Sequence, residues 1–286
     1  MTQIATSPPP ASWERIALHN RRIAPKLRRQ AKRLEELALG ASDRVERELR
    51  AAARKSMALI RDAINNGVTA DQLLAATDTL QQIEASINGA MAGVGKNVRQ
   101  HIELAVLAGG GMVEEIVRSE MPSLRMSFGA VPERMVQELE ERSLSFVTDL
   151  SDDTMRNVRH YLAEGVAQGK PLSEIAKSLA EETDLGKGAF ASPIARARTL
   201  ARTEMKLAAD RGSAAFAEDL AQQIPDIQEK FFYYHTGVCD GSCAGAATGG
   251  ANGDGVYPRG VGPRPVLSTH PNCNCARIPW SAAWGL

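Results

Sequence analysis

The 286-residue chain carries 34 basic and 34 acidic side chains, so its formal net charge is zero and it has no overall attraction for nucleic acid or an anionic membrane. Hydrophobic residues at 43% and charged residues at 24% exclude wholesale disorder, while an aromatic content of only 5% favours helices packed through small side chains over an all-β core. The length suits two ordinary domains, or one of about 150 residues with a long helical extension, and no stretch approaches the roughly 20 uninterrupted apolar residues of a membrane-spanning helix.

Residues 1–11, with Pro8-Pro9-Pro10, read as a flexible leader that lacks the apolar centre of a signal peptide. The chain is therefore expected to stay in the cytoplasm where it is made until something carries it elsewhere. From about Trp13 to Gly67, Ile16, Ile23, Leu27, Leu34, Leu37, Leu49, Met57 and Ile60 recur near helical spacing. Pro25 and Gly40 are expected to kink or break that helix.

The same stretch is the most asymmetric in charge: from Glu14 to Lys55 thirteen basic residues face six acidic ones. Arg21, Arg22, Lys26, Arg28, Arg29, Lys32 and Arg33 are its candidate contacts for DNA or for an acidic protein partner, with a protein preferred. The competing reading is a solvated helix face, with Glu35, Glu36, Glu46 and Glu48 pairing with neighbouring cations.

Thr69 to Gln72 has the form of a capping box that opens a second helix through Ile87, after which Gly89, Gly93 and Gly95 loosen the pattern. A third stretch reaches Leu107 and ends at Gly109-Gly110-Gly111, the best candidate hinge. This divides off an N-terminal helical region over 12–111, followed by a linker and helix over 112–143.

Pro132 starts a helix to about Leu150, and Ser151 with Asp152 and Asp153 reads as the cap of the next, which Gly169-Lys170-Pro171 ends. A short helix carrying Ile175 and Leu179 follows. Ser192-Pro193 is a well-formed start signal for a helix to about Gln222 that buries Ile194, Ala197, Ala201, Met205, Ala208, Gly212, Ala215 and Leu220.

After Pro225 the character changes. Lys230 to His235, with Phe231, Phe232, Tyr233 and Tyr234 in a row, reads as a β-strand, with His235 as a polar strand end. A Gly-rich loop too poor in apolar residues to make its own core comes next, and Ala276 to Trp280 is expected to form a last strand pairing with the aromatic one. The fold class is mainly α, with extended N-terminal helices and a small α+β C-terminal module whose short β-sheet and Gly-rich loop are stapled by a Cys/His cluster.

That cluster comprises Cys239, Cys243, His270, Cys273 and Cys275, five soft ligands in under 40 residues that include all four cysteines of the chain. Such clustering in a reducing compartment points to a metal site, and structural Zn²⁺ takes four Cys or His ligands on tight turns separated by a loop. Disulfides and plain burial of reduced thiols remain as alternatives.

The stretch Ala195 to Cys275 resembles the phage Mu F-like, or head-morphogenesis, family. The likeness rests on the helix with Ala201-Arg202-Thr203-Glu204, Ala208 and Gly212, on the aromatic strand running into Cys239 and Cys243, and on the close His270-Pro271-Asn272-Cys273-Asn274-Cys275. Upstream, Leu150 to Thr154 and Glu164 to Gly169 resemble the helical lead-in of that family, which gives residues 144–286 as its domain. Asn274 stands where members often carry Arg, and the first cysteine pair is commonly one residue closer.

The resemblance implies a minor capsid protein of a tailed phage in the virion, at the portal vertex. Its partners would be the portal and major capsid proteins, with packaged double-stranded DNA second, and its roles head assembly and DNA packaging or ejection. It implies no catalytic residues, and the sequence has no H-E-x-x-H, G-x-S-x-G, P-loop or strand-to-helix G-x-G-x-x-G. A DNA-binding virion protein or a cryptic metal-dependent nuclease is the alternative, with Asp240 and Asp254 as the only acids in reach of the cluster. Arg202 and Glu204, two residues apart on a helix, do not face each other and read as members of separate tertiary ion pairs.

Overall fold

A computed structural model describes residues 11–69, 72–73, 77–171, 173–175, 191–233, 240–271, 273–282 and 284. The described chain is mainly helical, with a three-stranded antiparallel sheet near the C-terminus. Four long helices, α1 (Ala11–Asn65), α2 (Thr77–Glu120), α3 (Glu133–Ala167) and α4 (Ala191–Gln223), precede strand β1 (Gln228–Phe232), helix α5 (Gly241–Thr248), strand β2 (Val256–Pro258) and strand β3 (Ala276–Trp280). No helix among the described residues is long and apolar enough to cross a membrane.

The chain forms two compact units, each assembled from discontinuous segments: Met1–Glu36, Glu103–Pro132 and Met205–Leu286 in one, Leu37–Ile102 and Glu133–Glu204 in the other. In the second unit, Leu49, Ile60, Leu73, Ile83, Ile87, Leu150, Val158 and Leu162 make the core. In the first, Ile23, Leu27, Val113, Ile116, Phe216 and Leu220 pack with Ile227 and Ile278. Fully burying side chains of this kind is worth about 1.5–3 kcal/mol each.

Several expected breaks are absent, and packing explains why. Pro25 lies inside α1 on an exposed face, and the fully buried Ile23 and Leu27 on either side carry the helix through it. Gly40 and Gly89-to-Gly95 likewise sit within continuous helix. Ser151 does not cap a helix: it is buried within α3, where its hydroxyl donates to Asn88 Oδ1 at 2.5 Å while Leu150, Thr154, Met155 and Val158 continue the buried stripe.

Gly109-Gly110-Gly111 is not a hinge. It lies inside α2, where a Cβ on Gly109 would stand 1.9 Å from the Ala209 carbonyl oxygen of α4, and one on Gly110 would stand 2.1 Å from the Phe128 ring. Glycine is needed here for close backbone approach rather than for flexibility.

Other expectations hold. The capping box forms, Thr69 N donating to Gln72 Oε1 at 2.9 Å and Gln72 N to Thr69 Oγ1 at 3.3 Å. The helix expected after Ser192-Pro193 is α4, with Ala197, Met205, Ala208 and Leu220 buried. β3 pairs antiparallel with the aromatic strand, Phe231 opposite Arg277 and Phe232 opposite Ala276, and β2 pairs on the other side. Pro258 and Pro279 sit on the two edge strands, where a missing N–H costs no ladder bond. The Gly-rich segment, expected as loop, holds both α5 and β2.

Candidate metal centre

The cluster is built from the two chain segments adjoining neighbouring strands. After β1 the chain enters α5, which Asp240 caps: its carboxylate accepts from Ser242 N at 2.9 Å and Cys243 N at 3.3 Å. The cap places Cys243 in the first turn, fully buried. On the other side, His270, Cys273 and Cys275 lie in the segment that runs directly into β3. Because β1 and β3 are paired, the two segments meet.

Cys243 Sγ lies 3.1 Å from His270 Nε2 and 3.6 Å from Cys273 Sγ. The sulfurs of Cys243, Cys273 and Cys275 all fall within 4.8 Å of one another, and Cys243 also belongs to a second triad with Asp240 and His270. A disulfide needs about 2.05 Å between sulfurs, so these thiols are unbridged. Two thiolates on one tetrahedral Zn²⁺, each at about 2.3 Å, would stand roughly 3.7 Å apart, close to the Cys243–Cys273 separation.

The surroundings are largely apolar. Phe231, Ala246 and the three cysteines form one buried apolar cluster, with Tyr233, Tyr257 and Val266 at its edge. Burial pushes the Cys243 thiol up to about 11, while a hydrogen bond from Cys275, with help from Thr269, holds Cys273 down at about 5. A metal bound by these sulfurs would take the place of the thiol protons. His270 Nδ1 lies 2.8 Å from the Pro271 carbonyl oxygen; donating to it fixes the tautomer that leaves Nε2 free to ligate. Asp240, exposed beside His270, is held below the usual carboxylate range chiefly by the Ser242 hydroxyl.

The turn that delivers His270 is strained. Val266, β-branched, sits at φ 69° with Leu267 N donating to Pro265 O at 2.8 Å across it. Such a conformation costs on the order of 1–3 kcal/mol and persists where surrounding bonds impose it. Here Val266 N donates to Thr269 Oγ1 at 3.1 Å and Ser268 N to Arg264 O at 2.8 Å.

The donor set of Cys243, Cys273, Cys275 and His270 can therefore hold a metal ion. Cys239 and His235 lie outside the described residues. The remaining expected residues take other roles. Thr203 Oγ1 donates to Thr199 O at 2.8 Å within its own helix. Glu204, 3% exposed, accepts from Arg142 Nε at 3.2 Å, and burial pushes its carboxyl up against the opposing pull of Arg142. The buried Ser143 hydroxyl adds to the pull of Arg142 on this carboxyl. Arg202 is half-buried.

The basic N-terminal set divides in two. Arg22 pairs with Glu120 at 3.3 Å, Arg29 with Glu115 at 2.5 Å, and Lys26 donates to Glu115 O at 3.1 Å and to Ser119 Oγ. Lys32 reaches Glu36 at 4.0 Å, and Arg21, Arg28 and Arg33 are exposed.

A second constellation was not singled out from the sequence. Asp210 of α4, 6% exposed, accepts from Arg264 Nη2 at 2.9 Å and from Arg277 Nε at 3.3 Å, and Arg277 Nη1 donates to Glu229 at 3.2 Å. The only sequence signal was that charged residues occupy strand positions, Glu229 and Lys230 in β1 and Arg277 in β3, where a sheet interior expects apolar ones. No family model, curated protein or solved structure matches the chain.

Proposed function

We propose that the chain is a minor head protein of a tailed bacteriophage, of the Mu F-like head-morphogenesis type, acting at the portal vertex in head assembly and in DNA packaging or ejection, without catalysis. The observation that carries the reading is the closure of the C-terminal module. The aromatic strand leads to Cys243, and the His270-to-Cys275 segment returns onto it before pairing as β3, in the order of the motifs on which the family resemblance rests.

Within that module, Cys243, Cys273, Cys275 and His270 hold one structural Zn²⁺. Three thiolates and an imidazole are a known structural zinc donor set, and the ion supplies the staple that a glycine-rich segment lacks. The N-terminal helix docks on the portal or capsid interior, so the protein resides in the host cytoplasm during assembly and then in the virion.

The test is co-production with the portal and major capsid proteins of its phage, followed by sedimentation of assembled heads in high salt. Retention of the chain in the head fraction supports the reading, and recovery only in the unassembled fraction sinks it. The second reading, a DNA-binding virion protein or cryptic metal-dependent nuclease, draws on exposed Arg21, Arg28 and Arg33. It calls instead for salt-sensitive duplex binding by residues 14–55, or for metal-dependent cleavage.

A further inference from the structure

Away from the cysteines, a cavity of about 400 Å³ opens between α4 and the turn after β2. Four guanidinium groups line it, from Arg211, Arg259, Arg264 and Arg277, together with the carboxylates of Glu218 and Glu229.

The floor of the cavity is already committed. Glu229 Oε2 accepts from Arg277 Nη1 at 3.2 Å and from Gly260 N at 3.0 Å, and Asp210 behind it takes Arg264 Nε and Nη2 at 3.2 and 2.9 Å. Arg264 Nη1 has no hydrogen-bond acceptor among the described residues. At the rim, Arg259 is carried by a turn closed by Val261 N donating to Pro258 O at 3.1 Å, with Gly260 at φ 78° in its third position. Neither Arg211 nor Arg259 has a carboxylate partner among the described residues.

We propose that this pocket binds a phosphate group, with Arg211 and Arg259 as the binding pair and Arg264 Nη1 as a third donor. Guanidinium forks match phosphate oxygens bidentately. Paired arginines can be structural, but these two rim residues have no ion-pair partner among the described residues. A cavity of this size also exceeds a bare ion and has room for a phosphate with an attached group of nucleoside size. The phosphate is that of a small phosphorylated molecule or of a nucleic-acid backbone, and its chemistry at the pocket is the same. The inference does not rest on the phage-head reading.

The test uses the full chain and two probes at low salt, adenosine 5′-monophosphate and a short DNA duplex without terminal phosphates, each followed by calorimetric titration. The wild type should bind at least one. An Arg211→Gln/Arg259→Gln double variant should bind it at least about tenfold more weakly, with an unchanged thermal melt because neither residue supports the fold by an ion pair. Glu218→Gln, which removes a repelling carboxylate at the rim, should bind it more tightly.

Binding of the monophosphate alone identifies a small phosphorylated ligand. Binding of the duplex, falling linearly in log–log with salt, identifies the nucleic-acid backbone. Either, when weakened in the double variant, supports the pocket. Binding of neither probe at millimolar concentration, or a double variant that binds as well as the wild type, overturns it.

Discussion

Gly212 of α4 faces the Val106 carbonyl oxygen of α2 so closely that a Cβ at position 212 would lie 2.1 Å from it. With Gly109 in the same crossing, the two helix backbones approach closely, and the Ser213 hydroxyl donates across it to the Gly109 carbonyl oxygen at 3.2 Å.

The crossing makes a prediction within a single glycine triplet. Gly111 has nothing within 4 Å of its would-be Cβ, whereas Gly109 meets the Ala209 carbonyl at 1.9 Å. Gly111→Ala, in open helix surface, should stabilise by about 0.5–1 kcal/mol through lower backbone entropy. Gly109→Ala and Gly212→Ala should each destabilise by about 1–3 kcal/mol or more, because backbone must move. Urea unfolding of the three variants measures this, and a loss of stability in Gly111→Ala would point back to a hinge.

A prediction about the metal concerns the identity of the fourth ligand. His270 Nε2 is 3.1 Å from Cys243 Sγ, so His270→Ala and Cys273→Ser should each lower zinc content well below one per chain. Chelation should lower the melting temperature of the wild type and leave that of Cys273→Ser unmoved, since metal binding is linked to folding. Elemental analysis alongside thermal melts reads both, and full zinc in the Cys273→Ser protein would refute the site.

The helical class, α4, the pairing of β1 with β3 and the cysteine cluster were legible because each is carried by local chemistry: a Ser-Pro start, an aromatic run, and soft ligands close in sequence. The continuity of α1 and α2 was not. Whether Pro25 or Gly109 breaks a helix depends on tertiary packing, on the burial of the flanking Ile23 and Leu27 in one case and on Ala209 of the crossing helix in the other. The grouping of Asp210 with Arg264 and Arg277 joins residues 54 and 67 positions apart, and no periodicity records such a distance. The opposite holds for Arg22, Lys26 and Arg29, which read as one patch with Arg21 and Arg28 until a neighbouring helix supplies Glu115 and Glu120.

The Asp210 network carries its own prediction. Arg277 is 7% exposed, and two of its contacts go to Asp210. Asp210→Asn would leave that guanidinium buried with Glu229 as its only carboxylate among the described residues, at a cost of about 3–5 kcal/mol. Replacing the exposed acid Asp219 with Asn, on the same helix, should change stability by no more than about 0.5 kcal/mol. Denaturant midpoints with the metal content held equal separate the two, and an Asp210→Asn protein as stable as the wild type would mean the network contributes little.

Lys230 gives a pH dependence whose sign follows from burial. Its ammonium, 4% exposed in the middle strand, donates to the Asp254 carbonyl at 3.3 Å, and burial brings its pKa from 10.5 down to about 8 despite the nearby Asp254 charge. Between those values the unfolded chain holds a proton that the folded chain has released, so this group's contribution to stability rises with pH across the window. The full swing is on the order of 3 kcal/mol. Tyr257, an acid whose pKa is raised by burial, acts in the opposite direction at alkaline pH. The raw wild-type profile therefore mixes the terms, and the Lys230 part is the difference between wild type and Lys230→Met. That difference should grow in favour of the wild type from pH 8 to pH 10.5 in urea unfolding, and a difference flat with pH would show that Lys230 titrates alike in the folded and unfolded chains.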